Sequence, residues 1–182
     1  MFKNVEGPEA IRFLSTKPTM IITTLHENAK VNAGVFGAYT NLSRQHVGIA
    51  VYTESDTNRN ILRDKEFTIN IPSADLVKKI KILAENLPPG ISEVEKAGLT
   101  LKDPLTNKVP SIAECAAAVE CRLDKVVPVS SHDFFIGEVT GGWIKQDFVT
   151  DKGRLDVFKS RVFKDFCYPE PYYVLAGEII EG

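Results

Sequence analysis

A chain of 182 residues, 43% apolar and 25% charged, carries enough core-forming side chains for one globular domain and too few for two. Its 22 basic and 24 acidic residues leave a formal net charge of −2, so no large field is available to hold nucleic acid or an anionic membrane. No apolar run is long enough to cross a bilayer, and Met1 to Pro8 lacks the apolar stretch of a signal peptide, so a cytoplasmic location is expected.

In chain order, Pro8 to Leu14 reads as a short opening helix. Thr19 to Leu25 is a strand-like run, closed by the polar turn His26 to Lys30. From Val31 to Ser43 the side chains shrink to Ala33, Gly34, Gly37 and Ala38, and a further strand follows at His46 to Thr53. The loop Glu54 to Asn60 leads into Ile61 to Lys65, where Asp56 or Thr57 could cap a short helix. Phe67 to Ile71 alternates apolar and polar residues with the period of a half-buried strand. Leu76, Ile80, Leu83 and Leu87 repeat at helical spacing, which predicts a helix over Ala74 to Asn86 with Ser73 as its N-cap. Residues 91–110 read as irregular with one helical turn. Two strands, Ala117 to Val129 and Asp133 to Val139, flank a turn at Ser130 to His132 and predict an antiparallel hairpin. The tail from Phe158 to Ile180 is aromatic and is expected to pack on the domain or on a partner subunit. Paired strands with few helices favour a mainly β fold, a small antiparallel barrel with one or two peripheral helices.

Three groups of residues could carry chemistry. Glycine within a strand pattern marks either a bulge at a barrel corner or a place where a ligand approaches the backbone. Asn32, Thr40, Asn41 and Ser43 surround the bare segment with hydrogen-bonding groups, so it could form a shelf for a flat, polar-edged ring. Ser55 to Arg59 precedes a helix start, which suits either an ordinary cap or a phosphate held by free N–H groups. His132 lies in a turn, as a plain turn residue or as one that orients a second substrate. Cys115, Cys121 and Cys167 match no common zinc or redox spacing and are expected to be reduced and structural. His26, His46 and His132 are too scattered to suggest a metal site. No nucleophile–base–orienter triad can be assembled from the sequence.

Taken together, the segments resemble the flavin reductase-like family of FMN-binding split barrels, which includes the flavoredoxins. The resemblance rests on Val31-Asn32-Ala33, the run ending in Thr40-Asn41-Leu42-Ser43, the Ser55/Thr57 to Asn60-Ile61 loop, Phe67-Thr-Ile-Asn70, Glu114 to Cys121, and His132 to Val139, and it covers about residues 15–142. It implies a six-stranded antiparallel Greek-key split barrel over residues 1–182, dimeric, with FMN as cofactor and NAD(P)H or a redox partner protein as electron donor. Carried over by position, Asn32, Ala33, Gly34, Ala38, Tyr39, Thr40 and Asn41 would surround the ring and ribityl chain, with Ser43 ending that run. Ser55, Thr57, Arg59 and Asn60 would serve the phosphate, and His132 would seat the nicotinamide. Where many NAD(P)H-dependent members have Gly-Asp-His, this chain has Ser130-Ser131-His132. That departure keeps an FMN electron carrier, reduced by a protein partner, as the alternative to an NAD(P)H:flavin oxidoreductase.

Overall fold

The computed structural model describes residues 16–166 and 172–177, so the opening helix expected over Pro8 to Leu14 lies outside the described residues. The first strands are β1 Thr16–Pro18, β2 Met20–Leu25, β3 Val31–Phe36, β4 Tyr39–Asn41 and β5 His46–Tyr52. Helix α1 Asp56–Asp64 leads into β6 Glu66–Ile71, α2 Val77–Leu83 and α3 Glu93–Ala97. Next come β7 Leu101–Lys102, β8 Ser111–Ile112, β9 Ala117–Val129 and β10 His132–Ile144, and last β11 Phe163–Phe166 and β12 Tyr172–Leu175.

An antiparallel sheet runs in the order β3-β2-β6-β9-β10-β5-β4. The six strands expected become seven because the small-residue run is two strands, broken at Gly37-Ala38. One half pairs with β2 and the other with β5, at opposite ends of the sheet. Three Cα steps from Phe36 to Tyr39 span at most about 11 Å. The sheet is therefore curved, with the end of β3 and the start of β4 within that distance of each other.

Successive side chains of a strand point to opposite faces, and β2 buries both. Met20 and Ile22 join Val47, Ile49, Val51, Ile61, Phe67 and Phe135 on one side, while Ile21 joins Leu76, Ile80, Leu83 and Val94 of the helical layer on the other. Cys121 and Cys115 sit fully buried, one in each cluster. Burial, with Glu120 beside it, pushes the Cys121 thiol up to about 12, and burial raises Cys115 too, so neither is a ready nucleophile. This agrees with their structural reading; Cys167 lies outside the described residues.

Several element ends differ from expectation. Helix α1 begins at Asp56, earlier than read, because Ser55 is its N-cap and accepts from the Asn58 N–H at 3.2 Å. Helix α2 is shorter than the apolar spacing predicts, with a 3-10 turn at Ala74–Leu76 before it and its last residue at Leu83. Ser73 does not cap it and instead forms a β-bridge with Val162. The single helical turn expected within residues 91–110 is α3. Strand β10 continues past Val139 to Ile144 because it pairs with β9 along its whole length, with register shifts at Ile136/Gly137 and Val139/Gly141. In the aromatic tail, β11 and β12 form a second sheet with β1, and Phe163 meets Tyr173 edge to face at 5.2 Å.

Candidate functional site

The hairpin β2–β3 and the start of α1 meet through a buried polar knot. Asn32 Nδ2 donates to Thr24 Oγ1 at 2.9 Å and to Thr57 Oγ1 at 3.0 Å, and Asn60 Nδ2 donates to Thr24 Oγ1 at 3.0 Å. All four side chains are buried, so these bonds replace lost water and hold the helix start against the strand. Between them opens a cleft of about 200 Å³, lined by Asn32–Phe36 of β3, Ser55–Thr57 at the α1 start, the end of α2 and Glu93. A Cβ at Gly34 would stand 2.7 Å from the Phe36 ring and 3.3 Å from Thr57 Oγ1, so this wall has to be bare.

The residues singled out in the sequence divide between places. Asn32, Ala33, Gly34, Ser55 and Thr57 line the cleft. Ala38, Tyr39, Thr40 and Asn41 lie on or beside β4, exposed, and Tyr39 instead borders an apolar hollow of about 540 Å³ with Met20, Phe163 and Val174. Ser43 organises the turn before β5, accepting from the N–H groups of Gln45 and His46 at 3.1 Å. Arg59 lines a different cavity, of about 320 Å³, with His26, Asn28 and Arg63. Its Nη1 donates to the Glu54 carbonyl at 2.7 Å, and its Nη2 forms an ion pair with Asp56.

His132 stands exposed where the β9–β10 hairpin opens, edge to face with Tyr52 at 5.7 Å. Tyr52 leads directly to α1, for its carbonyl accepts from Ser55 Oγ at 2.7 Å. The imidazole is thus at the α1 end of the molecule, outside the cleft lining. Among the described residues no cluster of His, Cys, Asp or Glu could hold a metal ion, and no helix is long and apolar enough to cross a membrane.

Two acidic side chains of the cleft stand out: Glu93, which the sequence did not single out, and Asp56, which it offered only as a helix cap. Glu93 is only 4% exposed, and one of its oxygens accepts the Ala33 N–H at 2.9 Å. Burial raises its carboxyl above the ordinary range, a shift opposed by that N–H and by nearby His26. Asp56 lines both the cleft and the Arg59 cavity. The sequence does carry a faint signal for Glu93, since Ser92 is a helix cap whose hydroxyl also donates to Val31 O at 2.6 Å. It thereby pins α3 to the edge of β3.

Residues 13–162 match the model of the flavin reductase like domain. The chain belongs to that family. An uncharacterised protein of Halalkalibacterium halodurans is 32% identical over 150 residues, 75% of this chain and 72% of that one. Among solved structures, nitrilotriacetate monooxygenase component B from Bacillus cereus superposes with a TM-score of 0.90 at 22% identity, over 100% of this chain and 99% of that one. A flavoredoxin of Desulfovibrio vulgaris gives 0.88 at 20% identity, over 100% and 97%. These superpositions show that the chain shares their fold.

Proposed function

We propose that this chain is an FMN-binding flavoprotein that works as an NAD(P)H:flavin oxidoreductase. The observation that carries the reading is one cleft lined by both the bare β3 backbone and the first turn of α1, joined by the Asn32–Thr57 bond across 25 residues of sequence, in a flavin reductase-like chain. The curved sheet is taken as the family's split barrel. FMN, when bound, supplies the hydride-accepting chemistry, which accounts for a site without a nucleophile or metal cluster.

The chain's own residues bind and align. Asn32–Gly34 and Ala38–Asn41 flank the ring and ribityl chain, with backbone groups of the curled sheet edges as partners. Ser55 caps α1, leaving first-turn N–H groups for the phosphate, and Arg59, on the same helix, is the cation assigned to it. Thr57 and Asn60 contribute by fixing the helix start through the polar knot. Exposed Tyr39, Val174, Leu175 and Tyr172 offer apolar surface for a second copy, in keeping with a homodimer.

Titration of the purified protein with FMN tests the cofactor, with binding expected at micromolar concentrations or below. Anaerobic addition of NADH and then NADPH tests the donor, with bleaching of the flavin band expected. Absence of FMN binding defeats the proposal. One observation favours a second reading, an FMN electron carrier: His132, assigned to the nicotinamide, stands outside the cleft. FMN binding with no reduction by either nicotinamide would select that carrier.

A further inference from the structure

The charged side chains lining the cleft are all acidic: Asp56, Glu85 and Glu93, with no lysine or arginine among the described residues there. Glu85 is paired with Lys96, and Glu93 is held by the Ala33 N–H. Asp56 is different. It is the first residue of α1, where a carboxylate complements the partial positive charge of the helix end. It also pairs with Arg59, three residues on, and lines both that guanidinium's cavity and the cleft. Its side chain is 15% exposed against 53% for Arg59, so the carboxylate is the more enclosed member of the pair.

We propose that Asp56 is a specificity-determining residue that competes with the ligand's phosphate monoester for both the α1 end and Arg59. The inference rests on the FMN reading and deepens it. In the free protein the Asp56–Arg59 pair is close to neutral. A phosphate entering at α1 draws Arg59 toward itself and leaves the Asp56 carboxylate facing a second anion. Phosphate recognition is then an exchange of one anion for another, and its net gain is smaller than the helix end and the guanidinium could provide. FMN would accordingly be held as an exchangeable ligand rather than as a permanently seated group. A purely local role, helix capping by an acidic first-turn residue, predicts no effect of Asp56 on ligand choice.

Dissociation constants for FMN and riboflavin, measured by flavin fluorescence, test the inference on wild type and Asp56→Asn. The variant should bind FMN about two- to five-fold more tightly, the effect of one first-turn charge, and riboflavin unchanged. The gain should shrink in about 0.5 M NaCl, where exposed charges are screened within a few ångströms. Its free form should melt slightly lower than wild type, because the helix end loses its complement. Asp56→Ser keeps a residue suited to a helix start and should shift FMN the same way if the Asn variant folds poorly. Unchanged or weaker FMN binding in a folded variant, or equal tightening of riboflavin, overturns the inference while leaving the FMN reading intact. A wild type that binds neither flavin removes both.

Discussion

Glu93 and Glu120 are both taken out of water, at 4% and 0% exposure, yet their surroundings act on them in opposite senses. Glu120, on β9, accepts N–H groups of Leu105, Thr106 and Asn107 at 2.8, 2.6 and 3.3 Å and the Thr106 hydroxyl at 2.7 Å. Burial pushes its carboxyl up, but these donors outweigh burial and hold it below the ordinary range. Glu93 has the Ala33 N–H, and there burial wins. The difference is the number of donors aimed at each carboxylate. Glu120 is a clamp that organises the 105–107 loop, whereas Glu93 is a sparsely bonded buried acid lining the cleft.

The largest effect is expected from Glu120→Ala. It leaves several N–H groups facing a void and should cost about 3 kcal/mol or more, since each buried donor left unpaired costs roughly 1–3 kcal/mol. Urea unfolding at neutral pH measures it; a loss under about 1 kcal/mol would show that water takes over the donors and that no clamp exists.

Acid should separate the pair further. With its native pKa depressed, Glu120 adds stability above the ordinary carboxylate range and loses it as pH falls through the native value. The gap between wild type and Glu120→Gln should therefore be widest near neutrality and close in acid. A gap independent of pH would mean that the ionised form carries none of the stability.

Glu93→Gln should give the smallest change, and of opposite sign. With its native pKa raised, Glu93 stabilises the fold while protonated and loses that contribution as pH rises through the native value. Glutamine keeps an acceptor for the Ala33 N–H without a charge to desolvate. The variant should be more stable than wild type near pH 8, and the difference should close as pH falls below the ordinary carboxylate range. A variant less stable than wild type at pH 8 would make Glu93 a second clamp and erase the contrast.

Neither glutamate could be told from a surface residue by residue type, and the cap at Ser92 marks only a helix start. Glu93 falls in a segment that reads as irregular with one helical turn, and Glu120 reads as the polar position of an alternating strand. Their partners lie elsewhere, Ala33 at 60 residues' distance and Leu105 to Asn107 at 13 to 15. By contrast, Ser55 to Asn60 announced a nearby helix start through residue types alone, and the structure differs in the cap, Ser55, and in making residues 56–60 helix rather than loop. The sequence puts Arg59 just before that helix, whereas it lies within α1, held by Asp56 and the Glu54 carbonyl, partners that only three dimensions bring to it.

The sequence by itself determined whatever depends on near neighbours. Period-two alternation specified β6 and the β9–β10 hairpin, a polar cap specified α1, and small residues marked a segment without side-chain bulk. Tertiary structure alone decided that this segment divides at Gly37-Ala38, one half entering the cleft with α1 and the other forming the far edge of the sheet. Local spacing states which face of a strand is apolar, but not which strand will lie beside it. Pairing across the curled sheet is settled by burying both faces of β2 at once, and that condition involves the whole chain.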